Sequence, residues 1–310
     1  MVFACKANTI MPIGGTLPSM TGRFDRTLCQ EGFCNMMKQH RVGIFLFLIP
    51  AVVVFLVYFV YPVGFLLYTS FMKWDSITPM EFIGAQNFKR LLTDDVFAKS
   101  MINTVIWGLA AICIHIPMAA LVAMILSRKI RGWKFFRTVF FIPNLISTLA
   151  LAMLWQFIYN GEFGLLNKLL ESVGLSAWQH NWLGEMNTAF PALIAHWIFY
   201  VGFYMIIFMA HISTIDASLY ESSQIDGAGP LKQAWHITVP LLKPTFATTV
   251  LLSLTDTLKN FEAPFLLTSG GPVNQTMVLS LHIYNRMISY QYGYANTLAV
   301  MLIAMCSLMV

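Results

Sequence analysis

Charge is scarce in this chain. Only 11% of its 310 residues are Asp, Glu, Lys or Arg, against about 25% in soluble domains. With 57% hydrophobic residues, a soluble globular protein is excluded. Cysteine is sparse as well. Cys5, Cys29 and Cys34 lie near the start, on the side read below as reducing, so disulfides are not expected there. Cys113 and Cys306 sit in apolar runs and read as small apolar side chains. No Cys/His group has zinc-site spacing. The chain also lacks a G-x-x-x-x-G-K-[ST] stretch, the loop that cradles nucleotide phosphates. The opening 35 residues have no continuous apolar core, because Gly, Pro, Thr and Ser interrupt them. They are unlike a signal peptide. The basic residues are spread over several loops and form no single patch, which argues against nucleic-acid binding. No internal repeat of fixed period is present.

What is abundant is long apolar runs. Six approach or exceed the ~20 residues that cross a bilayer: roughly 44–71, 101–126, 135–159, 189–212, 243–268 and 294 onward. The fold class is therefore all-α, a polytopic membrane protein of about six transmembrane helices. Pro50 and Pro62 predict a tilt, a kink or an interfacial turn in the first span. The last, from Tyr294 to Val310, reaches about 25 Å at the helical rise, short of a ~30 Å core. It is expected to be clipped inside its final helix. Residues 1–40 are expected to be a disordered tail, with a translation start at Met36 or Met37 as the alternative; residues 41–310 form the transmembrane domain. Twelve basic residues fall on the side of the tail, the 127–137 loop and the 213–243 segment, against six on the other. The basic side is the cytoplasm, so the N-terminus is cytoplasmic.

Between the fourth and fifth spans lies "STIDASLYESSQIDGAGPLKQAWHITVPLLKPTF". Ser213 or Asp216 can cap a helix over 216–225. Gly227 and Gly229 can stop it. Pro230 suits the first position of a second helix, which Pro240 is expected to end. The result is a helix–turn–helix elbow on the cytoplasmic surface. Such an elbow can simply pack on the membrane. Its small residues, Ser222, Ser223, Gly227, Ala228 and Gly229, instead favour a surface that another protein's backbone approaches closely.

The fifth span carries Asp256, Lys259 and Glu262 at three-residue spacing, which places them on one face of a helix. They form either an ion-pair ladder or part of a polar pathway, since ionisable residues at membrane depth are costly and usually functional. The pathway reading sets Thr257, Asn260 and Phe261 beside it. Tyr200, Gly202 and Tyr204 of the fourth span could line the same cavity or could be packing. His115, His196 and His211 read as packing or interfacial residues. No nucleophile–base pair or metal pair suggests an intramembrane enzyme.

The elbow sequence "LYESSQIDGAGPLKQAWHITVPLLKP" resembles the EAA loop of ABC-importer permeases, whose pattern runs E-A-A-x-x-D-G-A and then, after about nine residues, I-x-L-P. Glu221, Asp226, Gly227, Ala228, Ile237 and Pro240 match it; Ser222, Ser223 and Val239 depart from it conservatively. The stretches "FIGAQNFKRLL", "RGWKFFRTVFFIPNLIS", "FGLLN", "LTSGGPVNQT" and "YGYANTLAV" are similar to carbohydrate-uptake permeases, nearest to their MalF-like or UgpA-like half. The resemblance covers about residues 40–310. It implies a type I ABC importer permease fold in a bacterial inner membrane, with a coupling loop over about 213–242. Glu221, Ser222, Ser223, Asp226, Gly227, Ala228 and Gly229 would contact a separate ATPase dimer. That ATPase would hold ATP and Mg, and this chain would bind no cofactor of its own. The other implied partners are a second, MalG-like or UgpE-like permease, an extracytoplasmic solute-binding protein, membrane lipid and a sugar. An ion-coupled secondary transporter and a permease for a non-sugar solute remain the alternatives.

Overall fold

The structure is a computed structural model that describes residues 41–309, with side chains from Phe45 onward. The expected tail lies outside the described residues, and with it Cys5, Cys29, Cys34, Met36 and Met37. The chain separates into two units, one ending at Tyr61 and one beginning at Pro62.

The described part of the first unit is helix α1 (Arg41–Phe55) and a π-helical turn, Leu56–Val60. Its described side chains are all exposed.

The second unit is helical apart from one short hairpin. It begins with α2 (Tyr61–Thr69 in full), β1 (Met72–Lys73) antiparallel to β2 (Glu81–Phe82), and α3 (Gln86–Leu92). A long span follows, made of α4 (Asp95–Ala110), a π turn (Ala111–His115) and α5 (Ile116–Ser127). Then come α6 (Trp133–Phe141), a short 3-10 turn, α7 (Thr148–Ile158), α8 (Leu165–Ser172), α9 (Ala189–Ile198) and α10 (Gly202–Ile212). The elbow is α11 (Ala217–Ile225) and α12 (Pro230–Gln233), a π turn (Ala234–Thr238) and α13 (Val239–Leu241). The unit closes with α14 (Lys243–Lys259), α15 (Glu262–Thr268), α16 (Leu279–Ile288) and α17 (Tyr292–Met309).

Among the described residues, four helices are long and apolar enough to cross a membrane, or six if two bent pairs each count as one span. Breaks in the helices correct three expectations. Residues 135–159 are not one rod, because Trp133–Leu145 and Thr148–Ile158 meet at 104°. The span at 243–268 ends at Lys259 and restarts at Glu262. Pro240 does not end its helix either; a 66° bend falls just after it, at Leu242.

Each π turn stops two residues before a proline: Pro62, Pro117 and Pro240. The preceding residue donates its amide five residues back in every case, Tyr61 to Leu56, Ile116 to Ala111 and Val239 to Ala234. Proline lacks an amide and crowds the carbonyl four residues back. Widening the helix by one residue gives that turn another way to close.

Buried amides pin the loops to the helices. Asn87 Nδ2 donates to the Ser70 and Met72 carbonyls, both at 2.9 Å. Asn103 Nδ2 of α4 donates to the Gln275 and Met277 carbonyls at 2.8 Å. Asn167 Nδ2 bridges the Gly161 and His180 carbonyls, and its Oδ1 accepts from Trp182 Nε1. A Cβ on Gly293 would stand 2.0 Å from the Met72 carbonyl oxygen, so α17 approaches the hairpin as only glycine permits.

At the start of α4, Asp94 caps the helix by accepting from the Val96 and Phe97 amides. Tyr294 Oη of α17 donates to its Oδ2 at 2.7 Å. Arg286 Nη2 of α16 is 3.5 Å from the same oxygen, and His282 Nε2 is 3.4 Å away without a hydrogen-bonding alignment. Burial pushes the Asp94 carboxyl up. The Tyr294 hydroxyl, the two amides and His282 outweigh it and leave the carboxyl below its ordinary range.

Candidate functional site

Two places in the second unit combine exposed chemistry with unusual backbone. The first is the elbow. Asp216 Oδ1 accepts from the Ser218 amide and starts α11. At the other end Gly227 takes φ +76°. The Ala228 amide reaches the Ser223 carbonyl at 2.9 Å, and the Gly227 amide reaches Gln224 at 3.0 Å. These two bonds make a complete Schellman ending, which needs a left-handed residue at the position of Gly227. Pro230 opens α12 at its first turn. Gln233 Nε2 ties the second arm to the first through Ser223 Oγ at 2.8 Å, and Tyr220 Oη meets Thr238 Oγ1 at 3.0 Å. Arg128 Nη2 donates to the Pro230 carbonyl. The elbow is therefore a fixed shape rather than a loose loop.

Its outer surface is apolar and unpartnered. Ile225 is 88% exposed, Leu231 73% and Trp235 64%. Glu221, Ser222, Asp226, Gly227 and Gly229 are also exposed; Ser223 and Ala228 are half-buried in the turn. Gly229 takes φ −69°, an ordinary value, and a Cβ there would meet nothing within 4 Å. This chain's own packing does not require a glycine at 229.

The second place is a cavity of about 470 Å³, within the usual range for small-molecule sites. Three breaks in the spans converge on it. The break after α6 contributes Pro143, Asn144 and Ile146; the turn between α9 and α10 contributes Tyr200; the break after α14 contributes Asn260 and Phe261. His196, Trp197, Asp256, Lys259 and Glu262 complete its polar and aromatic wall. Irregular backbone at membrane depth is tolerated only where it is buried in protein or lines a cavity. These breaks line the cavity. Ser280 Oγ donates to the Asn260 carbonyl at 2.6 Å, and Gln156 Nε2 of α7 donates to the Leu266 carbonyl at 2.6 Å. Phe261 packs on Phe265 and Tyr284, with ring centroids 5.1 and 4.7 Å apart.

Of the residues expected beside a pathway, Tyr200, Asn260 and Phe261 line this cavity. Three do not. Gly202 is a contact point, since a Cβ there would lie 2.1 Å from the Phe140 carbonyl oxygen. Tyr204 is buried and donates to Asp256 Oδ2 at 2.7 Å. Thr257 is buried and bonds back to the Ser253 carbonyl. The ion-pair ladder is absent, because no salt bridge joins Lys259 to Asp256 or Glu262 among the described residues. The helix stops between Lys259 and Glu262, so Glu262 does not continue the helical face that Asp256 and Lys259 share, although all three line the cavity. Asn144 and Trp197 were missed; the Pro-Asn pair at 143–144 followed by Ser147 was the available signal for the first break. His196 and His115 are buried among aromatic rings, and His211 bonds to Thr245 Oγ1.

The helix α14 joins the two places. It leaves the elbow at Leu242 and delivers Asp256 and Lys259 to the cavity. Its 17 residues make a rod of about 25 Å.

Residues 115–310 match the family model described as "Binding-protein-dependent transport system inner membrane component". A probable ABC transporter permease protein of Bacillus subtilis, YurN, is 37% identical over 270 residues, covering 85% of this chain and 92% of that protein. The multiple sugar-binding transport system permease protein MsmF of Streptococcus mutans is 32% identical, covering 83% and 88%. A chain from the crystal structure of a bacterial alginate ABC transporter, in complex with an alginate pentasaccharide-bound periplasmic protein, superposes with a TM-score of 0.76 at 24% identity, covering 89% of this chain and 93% of that one. That likeness concerns the fold. The matched span includes the elbow, α14 and the whole cavity wall, and on this evidence the chain belongs to the family of binding-protein-dependent transport system inner membrane components.

Proposed function

We propose that this chain is one permease half of an ATP-driven sugar importer, coupled to a separate ATPase through the elbow. The observation that carries the reading is the elbow's build. Its internal bonds hold one shape, while its outward surface is apolar and contains a glycine that its own fold does not need. A rigid apolar knob beside charged groups fits a groove in another protein. In this reading Glu221 and Asp226 make polar contacts at the rim of that groove. Ile225, Leu231 and Trp235 fill it. Movement of the knob tilts α14 and reshapes the cavity at its far end.

The cavity chemistry supports a sugar. Sugar hydroxyls need amide and carboxylate partners, which Asn144, Asn260, Asp256 and Glu262 supply. The apolar face of a sugar ring stacks on an aromatic, as Phe261 or Tyr200 permits. Relatives such as MsmF carry sugar transport in their names. The remaining partners of the proposal are a second permease half, which completes the pathway, and an extracytoplasmic binding protein that delivers the sugar. In this reading the elbow and the N-terminus lie on the cytoplasmic side of a bacterial inner membrane, a placement that the excess of Lys and Arg supports.

Co-purification tests the proposal. An ATPase subunit should remain bound to the solubilised chain, and Glu221→Lys should release it without loss of the chain from the membrane. Retention of the ATPase by Glu221→Lys, together with normal uptake, would contradict it.

A further inference from the structure

A second and larger cavity, about 860 Å³, opens between the ends of α5 and α10, the start of α6 and the inner side of the elbow. The functional reading above makes no use of it. Its rim carries Arg128, Lys129 and Arg137, and no Asp or Glu lines it. Three cations with no opposing acid form a receptor for a small anion with several acceptor oxygens. We infer that this cavity binds a phosphate group carried by an anionic lipid of the adjoining leaflet.

The apolar wall selects the lipid over a free ion. Ile206 and Met209 come from inside the span Ala189–Ile212, and Met124 from inside Asp95–Ser127. Ile206 is six residues from the end of its helix, about 9 Å into the span. A free phosphate would satisfy the cationic rim and leave that wall bare. A glycerophospholipid meets both, with its phosphate on the rim and its acyl chains along Met124, Ile206 and Met209. Basic pockets between helices at a membrane surface suit such headgroups. The location adds a consequence. Arg128 is on the rim and also holds the Pro230 carbonyl, so a lipid seated here ties the elbow to the ends of α5 and α10.

The test uses the full chain, purified with the subunits that stay bound to it. It is reconstituted into nanodiscs of phosphatidylcholine with added phosphatidylglycerol, and retained lipid is counted by native mass spectrometry after partial delipidation. Lys129→Gln/Arg137→Gln leaves the Arg128–Pro230 bond in place, and Lys129→Arg/Arg137→Lys keeps the charges. The wild type should retain phosphatidylglycerol over phosphatidylcholine by about tenfold or more. The Gln pair should abolish that preference and the charge-conserving pair should keep it. A parallel arm offers millimolar inorganic phosphate in discs of phosphatidylcholine alone. Equal retention of the two lipids by the wild type would overturn the inference. So would a preference that the Gln pair leaves intact or the charge-conserving pair abolishes. Charge-dependent phosphate binding without phosphatidylglycerol retention would overturn the lipid assignment. None of these readouts depends on transport or on the ATPase, so failure here leaves the permease reading standing.

Discussion

Gly227 and Gly229 lie two residues apart and should fail in different ways. Gly227 sits at φ +76°. A side chain there costs about 1–2 kcal/mol in the left-handed region, more for a β-branched one. The chain can escape the strain by relaxing the turn. It then gives up the Ala228–Ser223 and Gly227–Gln224 bonds, each worth about 0.5–1.5 kcal/mol. Either route makes the productive elbow scarcer by about 1–3 kcal/mol, and affinity falls with the fraction that is competent. Gly227→Val should therefore weaken ATPase binding by about 5- to 150-fold. At Gly229 no such strain exists, and a Cβ meets no atom of this chain within 4 Å. Gly229→Ala should leave the melting temperature of the isolated chain unchanged and still weaken ATPase binding, because the space belongs to the partner. The assay is capture of the ATPase at graded concentrations, beside thermal unfolding of the chain alone. Wild-type capture and uptake by Gly227→Val would refute the reasoning.

Other perturbations follow from the same geometry. Asn260→Ala and Phe261→Ala should lower sugar uptake severalfold with assembly intact, since one lost hydroxyl–amide bond is worth about 0.5–1.5 kcal/mol; equal loss of assembly would mark them as structural. Lys259→Ala should barely move the melting temperature, because Lys259 has no ion-pair partner among the described residues and faces the cavity; a large drop would restore the buried pair. Burial first, and the charge of Arg286 against the pull of Asp94, keep His282 neutral below its ordinary value of 6.5. The unfolded chain then takes up that proton first, so stability is full above pH 6.5 and falls as the pH drops below it. His282→Gln should flatten that slope in thermal melts, and an unchanged slope would exclude His282 as its source.

The sequence revealed what depends on near neighbours. Apolar runs marked the spans, and Asp216, Gly227 and Pro230 each announced a local backbone need that the elbow meets. The span breaks were not legible in the same way. Asn260 lies in a helix-like run whose charges repeat every three residues, and its break is held by Ser280, twenty positions on. Gly202 looked like a small residue lining a path, yet the Phe140 carbonyl claims its space. The polar residues inside the resembling stretches, Asn87, Asn167, Asn296 and Thr297, turned out to be loop pins. Their partners include the Ser70 carbonyl and the Thr69 hydroxyl, 227 residues from Thr297 and Asn296. No local pattern can announce bonds across that distance.

The central claim is that ATP on another chain drives solute through this one. Its most direct measurement is uptake into proteoliposomes of a radiolabelled sugar that the binding protein retains. The vesicles hold this chain, the second permease and the ATPase, with ATP enclosed. Uptake should require the ATP, the ATPase and the binding protein, and should ignore collapse of the proton and sodium gradients. Uptake by this chain without the ATPase, driven by an ion gradient, would contradict the account.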